Sequence, residues 1–297
     1  MKLMVYDVGG TEIKYALMDE QFNIYDKGYV PTPKDSFEDF AAVISEKYLA
    51  HKDEAEGIAM SLPGFIDVEN GVVRGGGALL YNIGQPVGKM LEERCGCKVV
   101  LENDGKAAAA AEFYSGVLKG CQNAAVFVMG TAVGGGLIIN GQPVRGRHFT
   151  AGEFSFINTD SELFNEPMHY MGTQCSTQGL LIMYMIESGS KEMINGREFF
   201  ARLENDEIAQ RVLDKFADNV AKQCYNLYWL LDLEKIAIGG GISRQPILIE
   251  KIKEKYAQIN KESPLTKYLP TSYLEIVACE HGNDANMIGA FMNYLKQ

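Results

Sequence analysis

Basic residues are in short supply in this chain: 28 Lys and Arg stand against 39 Asp and Glu, a formal net charge of -11 over 297 residues. That balance argues against general affinity for nucleic acid or an anionic membrane, both of which bind excess positive charge. It leaves nucleotide binding open, because a local glycine-rich site with a metal ion overrides the global field. Cysteine is sparse too. Cys95, Cys97, Cys121, Cys175, Cys224 and Cys279 are scattered, without the density of a disulfide framework. Cys95 and Cys97 form the one close pair, and no second pair completes a four-ligand metal site. Reduced thiols in a cytosolic protein are expected. No apolar run approaches membrane-spanning length. The chain enters Lys2-Leu3-Met4-Val5-Tyr6-Asp7 with no signal-peptide pattern. A cytoplasmic protein with no membrane and no nucleic-acid partner is expected. Low-complexity tracts and long linkers are missing, and no Gly-Lys-Ser/Thr closes a P-loop.

What the chain does have is apolar runs punctuated by glycine. Hydrophobic content of 46% with 23% charged residues is ordinary for a globular protein, and the length suits roughly two domains. Leu3 to Val8 and Glu12 to Met18 read as a hairpin joined at Gly9-Gly10, where positive φ is expected of glycine. Backbone N–H groups left open there suit an anion. Asp7 at the strand end is placed for Mg²⁺ or its water shell, and Thr11 and Lys14 can reach phosphate oxygens. Nearly any hairpin can carry Gly-Gly, so this motif is weak by itself. Ser36 to Asp39 reads as a capping box opening a helix. Gly57 to Ser61 returns as a strand, and Pro63-Gly64 suits either a sugar pocket or an ordinary loop. Gly75-Gly76-Gly77 with Tyr81-Asn82 reads as a flexible segment carrying a polar group.

The stretch the chain is organised around is Glu102-Asn103-Asp104-Gly105-Lys106, after the strand-like Lys98 to Leu101 and before the alanine run Ala107 to Ala111. A carboxylate at such a junction sits where open α/β sheets place their ligands, and a helix N-terminus favours the ionised acid. Asp104 is the candidate general base of a kinase. The plainer reading of an Asn or Asp here is a helix N-cap. The second half repeats the grammar of the first: a strand from Ala124 to Met129, a turn from Gly130-Thr131 to Gly136, and a strand from Leu137 to Ile139. Asn140-Gly141 signals a type I′ turn. Two such turns facing each other across a cleft could grip a triphosphate. Glu153 lies in a loop, as a candidate ligand or a solvated carboxylate. Glu207 to Asp232 reads as a long amphipathic helix for core or subunit contact. The strand Lys235 to Ile238 ends in Gly239-Gly240-Gly241, where backbone can approach a flat ligand such as adenine or pack on a neighbour.

Asp7-Val8-Gly9-Gly10-Thr11, Ser61-Leu62-Pro63-Gly64, Glu102-Asn103-Asp104, Gly130-Thr131 through Gly136, Ala151-Gly152-Glu153 and Ile238-Gly239-Gly240-Gly241 occur in this order. Together they resemble the ROK family of bacterial sugar kinases and related repressors, within the actin-like ATPase superfamily. The resemblance implies an α/β fold of two actin-like, ribonuclease H-like domains with a cleft between them. The first would span 1–115 with the C-terminal helix 284–297, and the second 116–283. It implies ATP and Mg²⁺ as cofactors, a small-molecule sugar substrate and a homodimer. By the same resemblance Gly9, Gly10, Thr11, Gly130 and Thr131 cradle phosphates, with Gly134 in the second loop. Asp7 helps hold Mg²⁺, and Gly240 and Gly241 lie near the nucleotide. Gly64, Asn82, Asn103 and Glu153 hydrogen-bond sugar hydroxyls, and Asp104 is the base.

Three departures qualify the resemblance. Many members carry a His where this chain has Phe156, so the sugar cannot be carried over from glucokinases. The cysteines of the family's zinc motif are missing from Met168 to Cys175, so no zinc site is expected. Ala132 replaces a usual Gly, at little cost unless that residue needs positive φ. The zinc-less pattern, with His281-Gly282-Asn283-Asp284-Ala285 near the end, is most similar to the β-glucoside kinases of the family. N-acetylmannosamine kinases, glucokinases and a non-catalytic sugar-responsive regulator are the rivals.

Overall fold

Leu3 to Tyr6 are all fully buried, a continuous apolar run of the kind a strand covered on both faces requires. This strand, β1 (Lys2–Val8), pairs antiparallel with β2 (Glu12–Asp19), which pairs with β3 (Ile24–Pro31). Ser36 caps α1 (Phe37–Leu49) by accepting the Asp39 N–H at 3.1 Å. The Asp39 carboxylate accepts the Ser36 hydroxyl at 2.6 Å. β4 (Gly57–Leu62) runs parallel to β1; a hairpin of β5 (Phe65–Asp67) and β6 (Val72–Gly75) follows, then α2 (Val87–Cys95). β7 (Lys98–Asn103) adds parallel to β4 and leads into α3 (Asp104–Ser115). The sheet order is β3-β2-β1-β4-β7.

The computed structural model describes residues 1–164, 166–264, 268 and 273–297. It divides into two units, the first comprising Met1–Ser115, Arg145–Ala151 and Asn283–Gln297, the second Gly116–Val144 and Gly152–Gly282. In the second unit β8 (Ala124–Met129), β9 (Val133–Ile139) and β10 (Gln142–Val144) repeat the antiparallel meander. Asn140 and Gly141 join β9 to β10 with φ of 51° and 67°, the positive values that a type I′ turn demands. The short α4 (Met171–Gln174), α5 (Thr177–Ser188), α6 (Gly196–Arg202) and the 25-residue α7 (Glu207–Leu231) follow. Then come β11 (Lys235–Gly239), α8 (Pro246–Glu262), β12 (Glu275–Ala278) and α9 (Ala285–Lys296), the last belonging to the first unit. The second sheet runs β10-β9-β8-β11-β12, the same order as the first. No helix among the described residues is long and apolar enough to cross a membrane.

Small residues make one contact in the first unit possible. Ala107 to Ala111 are buried, and α3 packs on α9. A Cβ built on Gly289 would lie 1.7 Å from the Ala107 carbonyl oxygen. Gly289→Ala therefore forces the two backbones apart. We expect a loss of about 1–3 kcal/mol, read as a lower urea midpoint with unchanged slope. An unchanged midpoint would show that the helices separate at no cost.

Two stretches differ from their reading as loops. Val133 already pairs with Met129, so β9 begins four residues earlier than Leu137. A Cβ on Gly135 would lie 2.0 Å from the Val126 oxygen and 2.7 Å from the Phe154 ring. Glycine is needed there for the ring to pack on the strand. Gly75 to Gly77 is no open segment either. A Cβ on Gly77, at φ 75°, would lie 2.6 Å from the Pro63 oxygen.

Candidate active site

The parallel pairing of β1, β4 and β7 aligns their carboxyl ends, where Asp7 stands opposite Ser61, Ser61 opposite Glu102 and Leu62 opposite Asn103. This is the edge at which open α/β sheets hold ligands. Asp7 Oδ1 accepts from Asn286 Nδ2 at 2.8 Å and from the Ser61 hydroxyl at 3.4 Å, while Oδ2 faces Lys14 Nζ at 3.5 Å. The Gly9 N–H donates to the Glu12 oxygen at 2.9 Å, and the Thr32 hydroxyl donates to the Gly9 oxygen at 2.8 Å. Neither Gly9 nor Gly10 has positive φ, contrary to the expectation for this turn. Close approach explains them instead. A Cβ on Gly10 would lie 2.9 Å from the Ala78 Cβ, and one on Gly9 3.1 Å from the Glu12 oxygen. Thr11 is exposed at the tip.

Gly77 against Pro63 and Ala78 against Gly10 bring the Gly9-Gly10 turn and the Pro63-Gly64 turn to the same stretch of chain. Gly64 has φ 109°, and a Cβ there would lie 2.7 Å from the Gly75 oxygen. Its own carbonyl accepts Asn103 Nδ2 at 2.9 Å. The same Nδ2 donates to Asp104 Oδ1 at 3.0 Å, and Asn103 Oδ1 accepts the Lys106 N–H at 3.0 Å. Asn103 is thus the N-cap of α3, and its side chain also holds Asp104. Asp104 Oδ1 takes the Gly105 N–H at 2.8 Å. The half-buried Asp104 stands on the first turn of the helix.

Behind this pair lies a buried ionic network that the sequence pattern did not disclose. Glu102 is 2% exposed. Its Oε1 accepts the Asn103 N–H at 3.0 Å. Its Oε2 accepts Arg145 Nε at 2.7 Å, Arg145 Nη2 at 2.6 Å and Asn293 Nδ2 at 3.1 Å. Arg145, Asn286 and Asn293 were all missed. The two asparagines share a signal that was legible in principle, as polar residues on an otherwise apolar C-terminal helix.

Asn82, in the helical turn Leu80–Asn82, is 2% exposed and its Oδ1 has no hydrogen-bond partner. A buried acceptor without a donor costs roughly 1–3 kcal/mol, and a sugar hydroxyl would supply that donor. Asn82→Leu removes the orphaned acceptor at nearly constant shape. We expect an unchanged or higher melting temperature without sugar, together with a sugar KM raised about tenfold. A lower melting temperature with unchanged KM would show that the side chain is structural.

In the second unit the Gly130 N–H donates to the Ala132 oxygen at 2.9 Å, and Thr131 is exposed. Ala132 does not take positive φ, so the missing glycine costs little. Gly134 sits within β9 opposite Val128. Gly240 has φ 95°, and a Cβ there would lie 2.2 Å from the Met129 oxygen, whereas the position at Gly241 is open. The Gly240 turn thus rests directly on the end of β8. Gly152, at φ 78°, approaches Gly136, and Glu153 follows at the start of the turn Phe154–Phe156. Phe154 is buried and Phe156 is 66% exposed.

The sequence profile of the ROK family matches residues 4–297. Over 303 residues the chain is 30% identical to the "Beta-glucoside kinase" of Klebsiella pneumoniae, covering 99% of this chain and 96% of that one. It is 28% identical over 302 residues to the "Beta-glucoside kinase" of Listeria monocytogenes, covering 100% and 98%. A solved ROK family protein from Streptococcus pneumoniae TIGR4, in complex with sucrose, matches with a TM-score of 0.89 at 30% identity. That match covers 100% of this chain and 98% of the other.

Proposed function

This chain belongs to the ROK family and is an ATP-dependent sugar kinase, and from that premise we propose that it phosphorylates the 6-hydroxyl of a glucosyl unit in a β-glucoside such as cellobiose. Its two mixed α/β sheets are those of the actin-like ATPase fold. The observation that carries the chemistry is the Asn103–Asp104 pair at the end of β7, in which one asparagine caps the helix and aims the carboxylate. Asp104 accepts the proton of the attacking hydroxyl late in the transfer. A positioned base of this kind contributes about 10²–10⁴-fold. Gly64, Asn82 and Glu153 orient the sugar; Asn103, with both side-chain ends engaged by protein, acts through Asp104.

The Gly9 and Gly130 N–H groups are closed on Glu12 and Ala132, so those turns serve the nucleotide through Gly10, Thr11 and Thr131, and the turns at Gly240 and Gly241 by close approach. No group of three His, Cys, Asp or Glu among the described residues could cage a metal. Mg²⁺ commonly needs only one or two carboxylates together with nucleotide phosphates. Asp7 fits that requirement, with Oδ2 turned to Lys14 at 3.5 Å and 13% of its side chain exposed. When bound, the ion would neutralise charge on the phosphates, with Asp7 placed to hold it or its water shell and Lys14 to reach phosphate oxygens.

The acceptor is inferred from two observations. The chain shares about 30% identity over its full length with proteins named β-glucoside kinases, and the exposed Phe156 replaces the His carried by many members. An aromatic face suits the apolar side of an aglycone. An ADP-release screen over glucose, cellobiose, gentiobiose, aryl-β-glucosides and N-acetylmannosamine tests this reading. The β-glucosides should give the highest kcat/KM. A response to N-acetylmannosamine alone would overturn the acceptor, and sugar binding without ADP release would favour a regulator. The reading includes a homodimer in the cytoplasm, with the exposed Trp229 and Leu230 near the end of α7 as the contact. Light scattering at the monomer mass would exclude the dimer.

A further inference from the structure

The first unit holds a cavity of about 450 Å³ between the β5–β6 hairpin and the segment from Arg145 to Ala151. The volume is in the range of small-ligand pockets. The geometry points to a subsite for the second sugar ring of a disaccharide acceptor, a neutral polyol held beside the ring that is phosphorylated. This rests on the β-glucoside reading given above.

Both walls of the cavity are tied to the end of β7. The hairpin wall carries Asp67, Glu69, Asn70 and Arg74. It starts three residues after Gly64, whose carbonyl is bonded to Asn103, so Asp67 lies within about 10 Å of that bond along the chain. The opposite wall carries Arg147 and Phe149. Arg147 is two residues, at most about 7 Å, from Arg145, and Arg145 is locked to Glu102. Each wall thus lies within about 10 Å, along the chain, of a group bonded at the end of β7, a separation that a two-ring substrate would span.

The lining favours a sugar over an anion. Two carboxylates, Asp67 and Glu69, meet two guanidiniums, Arg74 and Arg147, so the fixed charges cancel. Burial alone would raise the Asp67 carboxyl, but the Arg74 and Asn70 hydrogen bonds outweigh it and hold it below the usual range. Arg74 Nε donates to Asp67 at 3.1 Å, and Asn70 Nδ2 donates to both carboxylate oxygens at 3.0 and 3.1 Å. Asp67 is itself buried, and it fixes Asn70 and Arg74 as polar groups suited to hydroxyls.

Phe149 is the second sign. It is held at φ 62°, a conformation unusual for a bulky side chain that persists where the surroundings enforce it. Its N–H donates to the Gly146 oxygen at 3.3 Å, and the Ala151 N–H closes the segment on the Arg145 oxygen at 3.1 Å. A glycine would take this φ without cost; the phenylalanine instead presents a partly exposed ring to the cavity. An aromatic face beside fixed polar groups is the usual chemistry for gripping a pyranose.

Phe149→Gly removes the ring while relieving the backbone, and Arg147→Ala removes an exposed donor, so neither threatens folding. The measurement is kcat/KM for cellobiose and for glucose in each variant. We expect the cellobiose value to fall about tenfold relative to the glucose value, chiefly through KM. Equal factors for the two sugars, with cellobiose still turned over by the unaltered protein, would overturn this subsite alone. If the unaltered protein phosphorylates glucose or N-acetylmannosamine but no disaccharide, the β-glucoside reading falls and takes the subsite with it.

Discussion

Asp104→Asn lowers kcat by about 10²–10⁴-fold and leaves the KM values for ATP and sugar nearly unchanged. Asparagine is close to isosteric with aspartate, and its oxygen can keep the hydrogen bonds from Asn103 Nδ2 and the Gly105 N–H that fix Oδ1. What disappears is the ability to take a proton. Because those bonds persist, the helix start and the Gly64 turn stay where they are, and ground-state binding is spared. Steady-state ADP release together with calorimetric titration of the sugar separates the two effects. A variant that keeps more than a tenth of the activity excludes Asp104 as the base. One that loses sugar binding in proportion to turnover makes Asp104 a binding residue.

Arg145→Met should cost roughly 3 kcal/mol of stability, a fall of about 6–12 °C in melting temperature. Both oxygens of the buried Glu102 carboxylate are engaged, and Arg145 is its cationic partner, itself only 28% exposed at the side chain. Removing the arginine leaves a charge out of water with amide donors alone, and that desolvation is what the variant loses. The double variant Glu102→Gln with Arg145→Met removes the orphaned charge and should recover most of the loss. Thermal melts of the two singles and the double decide it. If the double is no more stable than Arg145→Met, the loss comes from packing of the arginine stem and not from the unpaired carboxylate.

The sequence disclosed the parts that local rules encode and concealed those that depend on distant partners. Apolar runs with glycine at their ends marked β1, β2, β4, β7, β8 and β11, and the Asn140-Gly141 turn, because strand burial and positive φ are demands made by neighbouring residues. The role of Asn103 was hidden by its ambiguity. Either Asn103 or Asp104 could cap the helix, and only the bond from the Lys106 N–H shows that Asn103 does so. Asn286, Asn293 and Arg145 lie between 43 and 279 positions from the groups they hold, and no periodicity reports such pairings. Glycine was misjudged where it answers to packing. Gly10, Gly77 and Gly135 are required by Ala78, Pro63 and Phe154 respectively, residues that nothing local brings near them. The stretch 176–206 forms α5 and α6; the cap at Ser176 and the Asn195–Glu198 capping box mark both helix starts, but the apolar residues of α5 spread too evenly around it to show a helical stripe.

The most direct test of the acceptor and the chemistry together is nuclear magnetic resonance of the product formed from cellobiose and MgATP. Phosphorus coupled to the C6 protons of the non-reducing glucosyl ring, with one ADP released per phosphate transferred, is the predicted result. Cellobiose recovered unaltered while N-acetylmannosamine is consumed, or phosphate found on any other carbon, would contradict it.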